Sequence, residues 1–219
     1  MANFSTHLNV SAFVSGISAI SISYSNLSSQ NDAVIYFLAG IIGGILPDID
    51  HDKSTPIRII QFFFSNLVSF FVVFKYVHKY PILNLFLIWL ISYIIMSIIF
   101  FFFKKLTKHR GMIHSIPAGL IFWFLISIIS YNFFHLEIIK SYFLGFFVFI
   151  GYMTHLILDE IYSVDITGKK IKKSFGSALK ICSSNKKLNL ITYLLLLFIF
   201  ISLPKKDILF YLIKGIGNV

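Results

Sequence analysis

The sequence is poor in charge and has almost no cysteine. Only 13% of its 219 residues are charged, and Cys182 is the single cysteine. One cysteine excludes an intramolecular disulfide and a zinc site built from several thiolates. Any metal would therefore be bound through nitrogen and oxygen atoms. No stretch rich in proline, glycine or serine separates two parts of the chain, which predicts one domain over residues 1–219.

Hydrophobic residues dominate the sequence instead. They make up 57% of it, and 26 residues are phenylalanine. This balance is typical of an integral membrane protein. Seven apolar segments are long enough, or nearly so, to cross a hydrocarbon core that needs about 20 helical residues. We predict an all-α fold, a polytopic transmembrane bundle of about seven helices, over residues 8–27, 33–47, 58–77, 82–103, 114–134, 141–158 and 188–203.

The first two segments differ from the other five. The first is rich in serine, and the second is short and contains Gly40, Gly43 and Gly44. Small residues allow helix backbones to approach closely in a membrane bundle. We therefore expect both helices to pack inside the bundle.

The basic residues predict an orientation. With a cytoplasmic N-terminus and seven crossings, most lysines and arginines fall in cytoplasmic connections, as the positive-inside rule requires. The connection 160–187 contains seven lysines, and we predict that it lies against anionic lipid. Its segment 171–180 could instead form a short amphipathic helix that covers a site. Because the net charge of +10 follows the topology, we expect no nucleic-acid partner.

Polar motifs collect on one predicted membrane face. Four lie at cytoplasmic helix ends: His7, the string 47–51 (PDIDH), the string 109–115 (HRGMIHS), and the pair His155 and Asp159. His78 and His135 fall in outer connections and join none of them. Topology therefore divides the seven histidines into five candidates and two bystanders.

Each motif also has an ordinary explanation. His155 and Asp159 are four residues apart, on one helix face, where they could bind a metal or form a hydrogen-bonded pair. The string 47–51 could be a turn after a helix that Pro47 ends. The string 109–115 could be a basic anchor with Ser115 near a helix cap. Their joint position on one face is less ordinary, because buried polar groups at a membrane edge are costly unless a cation neutralises them. We predict a divalent metal site there.

The same strings carry a family resemblance. His7, PDIDH, HRGMIHS and the string 151–159 (GYMTHLILD), in this order, resemble the YdjM-like family of bacterial inner-membrane proteins. Its members are described as metal-dependent hydrolases, some of them under LexA control in the SOS response. The resemblance assigns the motifs to a hydrolase-like part, residues 1–165, and implies a location in the bacterial inner membrane. The basic loop 160–187 and the last helix, 188–203 with its tail, carry no assigned motif.

On the hydrolase interpretation, the motif residues divide by role. The expected ligands of one or two divalent ions, preferably zinc with manganese or magnesium as alternatives, are His7, Asp48, His51, His114, His155 and Asp159. Asp50 is the expected general base toward a metal-activated water. Arg110 and His109 would hold an anionic group of the substrate. Ser115 would contact one of the metal ligands and fix its orientation without binding the metal itself.

The predicted depth of the site indicates the substrate class. At the level of lipid headgroups, we expect an amphiphile with a lipid phosphoester, while an amide or a lipid-linked sugar stays open. Membrane lipids are therefore the expected partners. Two other functions use the same residues. A transporter for protons or metal ions could build its site at a broken helix, although the sequence has no inverted repeat. A non-catalytic protein could use the metal only to tie helices together.

Overall fold

The structure, a computed structural model, describes residues 3–50, 55–106, 112–163, 176 and 179–209, without the side chains of 49–50, 55–60 and 102–106. Throughout these ranges the regular structure is helical, which confirms the predicted all-α class. The elements with described bounds are, in chain order, α1 Phe4–Tyr24, α2 Gln30–Gly43, the 3₁₀ segment Leu46–Asp50, α3 Thr55–Tyr76, α4 Ile82–Leu106, α5 Ile116–Asn132, α6 Ile138–Ile161 and α7 Lys186–Ile201.

Each of the seven predicted segments corresponds to one of these helices. Three stretches in the described part of the chain are long and apolar enough to cross a membrane: Gln30–Asp48, Ile82–Phe101 and Ile138–Ile161. Shorter apolar helices cover Gln61–Tyr76 and Ile116–Asn132. The chain is therefore a helical membrane protein, while the number of crossings and their orientation stay predictions.

The helices divide between two compact units. The first comprises Met1–Pro47 and Arg110–Val219 and contains α1, α2, α5, α6 and α7. The second, Asp48–His109, contains α3 and α4. This division into two units does not test the prediction of a single domain over residues 1–219, which stays a prediction.

Helix α6 is the central element of the first unit. It packs against α1, α2 and α5, and α5 in turn packs against α7. Phe147, Tyr152 and Leu156 on α6 are fully buried. A fully apolar helix would be expected in such a position, yet α6 also carries His155 and Asp159 in its last two turns. The centre of this unit is therefore where the polar chemistry lies.

Small residues allow α1, α2 and α6 to approach one another closely. A Cβ added to Gly40 would overlap Ser15 of α1, and one added to Gly43 would overlap the Val148 carbonyl of α6. Gly151 of α6 lies against the backbone of Gly40 in the same way. The serine-rich and glycine-rich helices therefore pack through their small residues on one face, while Phe13 and Ile20 of α1 and Leu38 of α2 are exposed on the other, so neither helix is enclosed on all sides as expected.

The second unit is a hairpin of two long helices. Helix α4 is exposed along most of its length, as a helix that faces lipid would be. Aromatic rings take part in the contact with α3: the ring centroid of Trp89 lies 6.1 Å from that of Phe70, and the centroid of Tyr93 lies 6.4 Å from that of Phe62. Ring contacts thus contribute to the hairpin beside the buried Ser65 and Ser69, whereas the closest contacts of α1, α2 and α6 are made by glycine and serine.

Candidate metal centre

Two helices of the first unit bring three of the predicted ligands together. His7 lies in the first turn of α1, and His155 and Asp159 lie one turn apart near the end of α6. Asn3 caps α1 by accepting a hydrogen bond from the Thr6 backbone N–H at 2.8 Å, which fixes the turn that carries His7. His7, His155 and Asp159 are only 2%, 0% and 5% exposed. The structure thus brings these three predicted ligands together, while their role toward a metal stays a prediction.

The Asp159 carboxylate faces both imidazoles. Its Oδ1 lies 3.3 Å from His7 Nε2, and its Oδ2 lies 3.9 Å from His155 Nε2. The two rings are stacked, with centroids 3.7 Å apart and planes at 10°. One potential ligand atom from each of the three residues lies within 4.8 Å of the others. Two nitrogens and one oxygen therefore converge on one small volume.

A backbone carbonyl orients His155. Its Nδ1 lies 2.7 Å from the carbonyl oxygen of Gly44. Since a carbonyl can only accept, Nδ1 carries the proton, and in the neutral ring Nε2 then holds its lone pair toward Asp159. Metal-binding histidines are commonly fixed by such a bond from the opposite nitrogen. The Gly44 carbonyl is available for this because α2 ends at Gly43.

The donor atoms of the cluster are those that a divalent cation would use. In the ranges that the structure covers, the ion pairs of Asp159 are those with His7 and His155. Protonating both stacked rings would place two positive charges side by side, which costs energy in a buried site. His7 Nδ1, His7 Nε2 and Asp159 Oδ1 are buried and make no hydrogen bond to a described residue. A divalent cation would bind the carboxylate and leave both imidazoles neutral.

His114 lies beside this group. It is 1% exposed, and its ring meets that of His155 edge to face, with centroids 5.9 Å apart. The backbone around it is held from α6, because the Tyr152 hydroxyl donates a hydrogen bond to the Ile113 carbonyl. A third imidazole therefore lies within reach of a second ion or a larger coordination shell.

Ser115 begins α5 directly after His114. Its hydroxyl donates to the Met112 carbonyl and accepts a hydrogen bond from the Ala118 backbone N–H at 3.4 Å. The serine is thus the helix cap that the ordinary explanation foresaw, and a supporting role toward a ligand stays a prediction. The end of the basic loop reaches the same place, since the Ile116 N–H donates to the Lys180 carbonyl at 3.2 Å.

The other predicted site residues are less fully described. Asp48 is half-buried and is the first residue of the second unit, so its role as a ligand stays a prediction. Asp50 belongs to the 3₁₀ segment, but its side chain is outside the described residues. His51, His109 and Arg110 lie outside the described residues altogether. Most of the basic loop, residues 164–175 and 177–178, lies outside them as well.

Two contacts at the centre were not predicted from the sequence. The Gly44 carbonyl holds His155, and the Tyr152 hydroxyl holds the backbone before His114. A signal for Tyr152 exists, because it precedes His155 by three positions and so shares its helix face. The exposed His78 and His135, predicted to be bystanders, are absent from the candidate metal-binding groups among described residues.

Comparison with known proteins identifies one family. A family model described as YdjM inner membrane protein matches residues 1–203. The matched range contains all four motifs and all seven α-helices, and so extends past the resemblance that ended near Asp159. None of the curated proteins and none of the solved structures matches the chain.

Proposed function

The chain belongs to the YdjM inner membrane protein family, and from this premise we propose that it is a membrane-embedded, metal-dependent hydrolase. It acts at the cytoplasmic membrane face on an amphiphile of the lipid phosphoester type. The observation that carries the proposal is the buried cluster in which the Asp159 carboxylate faces the stacked rings of His7 and His155.

The donor set fits a divalent metal. Imidazole and carboxylate suit zinc, and manganese is the nearest alternative. Catalytic zinc commonly has three protein ligands and one position for water or substrate, which His7, His155 and Asp159 would satisfy. His114 would add a further ligand or serve a second ion, and Asp48 and His51 stay the other ligands expected from the sequence. A metal in this place supplies Lewis acidity, which makes water a better nucleophile near neutral pH.

The remaining motif residues have roles toward the substrate in this proposal. Asp50 takes the proton from the attacking water, and Arg110 with His109 holds the phosphoryl oxygens. Their positions in the sequence support these roles. Asp50 comes shortly after the end of α2, whose glycines pack on α6, and Arg110 precedes His114 by four residues. The membrane location supplies amphiphiles as the local pool of substrate.

A second candidate is a metal that only ties α1 to α6. Structural zinc sites are closed, whereas catalytic ones keep an open position. The near-zero exposure of His7 and His155 favours this alternative. Both candidates bind a metal, and only the hydrolase converts a substrate.

Metal analysis of the purified protein in detergent tests the shared part. We expect the parent to retain zinc or manganese and Asp159→Asn to bind it about 10- to 100-fold more weakly, as losses around metal sites commonly do. Asp32→Asn is the matched control, because Asp32 pairs with Lys140 at 3.3 Å on a partly exposed surface. A folded parent without metal would refute both candidates.

Turnover then separates the two candidates. With short-chain phosphatidic acid as the probe, the hydrolase should release phosphate, lose activity to a chelator and regain it with metal. Cleavage of an amphiphilic amide in place of the phosphoester would overturn the substrate class. A metal-loaded protein that cleaves neither favours the structural metal.

A further inference from the structure

The second unit contains a cavity of its own. It lies between α3 and α4, has a volume of about 300 Å³, and is lined by Gln61, Phe62, Ser65, Tyr93, Ser97, Phe100 and Phe101. Ligand pockets typically range from about 300 to 1,000 Å³. The cavity therefore has room for part of an amphiphile.

One lining side chain has an unsatisfied donor. Gln61 Nε2 is buried and finds no hydrogen-bond acceptor in the described part of the hairpin or elsewhere among described residues. Neighbouring polar side chains behave differently: Asn66 donates to the Phe62 carbonyl and Ser97 to the Tyr93 carbonyl, each at 2.8 Å within its own helix. Because a buried donor without an acceptor is costly, the Gln61 amide lowers its energy by meeting an acceptor from a ligand.

The position of the cavity points to a lipid. Gln61 lies near the start of α3 and Phe101 near the end of α4, at the hairpin end from which the chain continues to the two motif strings. Phe62 and Phe101 are 62% and 65% exposed, so the aromatic wall is accessible to acyl chains. Among the residues whose side chains the structure describes, those that line the cavity are neutral. A neutral amide donor suits an uncharged acceptor oxygen, whereas a phosphate would call for arginine or lysine.

We propose that this cavity binds the ester region of a membrane amphiphile, with Gln61 donating to an ester carbonyl and the phenylalanine rings packing on the adjoining methylenes. The assignment rests on the proposed function, because it takes the bound amphiphile to be the substrate of the proposed hydrolase. It deepens that function by placing substrate recognition on the α3–α4 hairpin.

Photolabelling in vesicles tests the proposal. The parent protein is placed in phosphatidylglycerol vesicles with a trace of a diacyl lipid whose diazirine adjoins the ester. We expect Gln61→Met to reduce labelling of α3 and α4 peptides about fivefold, as the loss of one hydrogen bond predicts. Asn66→Leu is the matched control and should retain parental labelling, because the Asn66 amide bonds its own helix. Parental labelling in Gln61→Met overturns the proposal.

A second probe needs no variant. A dialkyl ether lipid with the same diazirine lacks the carbonyl, and we expect it to label the parent about fivefold less than the ester lipid. Equal labelling by the two probes overturns the proposal, even where Gln61→Met fails to fold.

Metal content and probe preference, measured together, distinguish a failure of the cavity assignment from a failure of the proposed function. Asp159→Asn should lose metal and keep the preference for the ester probe. A metal-free parent that prefers the ester probe supports the cavity assignment while refuting the hydrolase. A metal-loaded parent without that preference refutes the cavity assignment alone.

Discussion

The contact of α1, α2 and α6 and the hairpin of α3 and α4 are both made by apolar helices, but their side chains differ in size. In the first, glycine and serine let backbones touch, and the first turn of α1 and the last turns of α6 contribute two histidines and an aspartate. In the second, Phe70 of α3 meets Trp89 of α4, Phe62 of α3 meets Tyr93 of α4, and a cavity lies beside the second of these ring pairs. Close backbone contact fixes polar groups at defined distances in the first region, whereas ring contacts and a cavity mark the second.

The largest effect is expected where this close contact is disrupted. Gly151→Ala would drive a Cβ into the Gly40 carbonyl and the Gly44 N–H. Because backbone must move, we expect a loss of about 3 kcal/mol in the free energy of unfolding, with loss of bound metal as Gly44 leaves His155. Thermal unfolding in detergent and metal analysis measure both.

Gly16→Ala is the control for this substitution. A Cβ at Gly16 would meet the Phe37 ring at an ordinary 3.6 Å. Replacing a helical glycine there should be neutral or stabilise the protein by up to about 1 kcal/mol. Equal behaviour of the two variants would show that small residues do not hold the first unit together.

A smaller effect is expected from Tyr152→Phe, which removes the hydroxyl that holds the Ile113 carbonyl before His114. The loss of one buried hydrogen bond should lower stability by about 1 kcal/mol. Metal affinity should fall as well, because His114 loses its support.

Tyr142→Phe sharpens this test, since the Tyr142 hydroxyl makes the same type of bond, to the Pro204 carbonyl at 2.6 Å, away from the centre. We expect a similar loss of stability and an unchanged metal affinity. Titration with zinc distinguishes the two variants, and a metal effect from Tyr142→Phe would contradict a local role for Tyr152.

The smallest effect is expected in the hairpin. Trp89→Leu removes ring contacts with Phe86 and Tyr93, whose centroids lie 5.8 Å and 5.7 Å away. Aromatic pairs contribute about 0.5–1.5 kcal/mol beyond area burial, and the leucine recovers part of the contact. Stability should fall by less than about 1 kcal/mol, with metal content unchanged. A loss of metal as large as that in Gly151→Ala would remove the distinction between the two regions.

Much of the fold could be predicted because its signals are local. Hydropathy located all seven helices, and spacing placed His155 and Asp159 on one face. The number of predicted crossings also placed His7 at the same membrane face as His155 and Asp159. The bond between His155 and the Gly44 carbonyl could not be predicted in this way, because its partners are 111 positions apart and meet only through packing. The unsatisfied amide of Gln61 likewise depends on which helices pair.

The chain order of the cluster has a consequence for biogenesis. His7 is synthesised on α1 long before Asp159 emerges on α6, yet the two side chains lie 3.3 Å apart in the finished protein. During insertion, α1 therefore has to wait until five further helices have been made before its histidine meets the carboxylate. The cluster closes only after α6 is in place, so its closure marks the point at which the first and sixth helices of an inserting chain have met, with α7 still to be added.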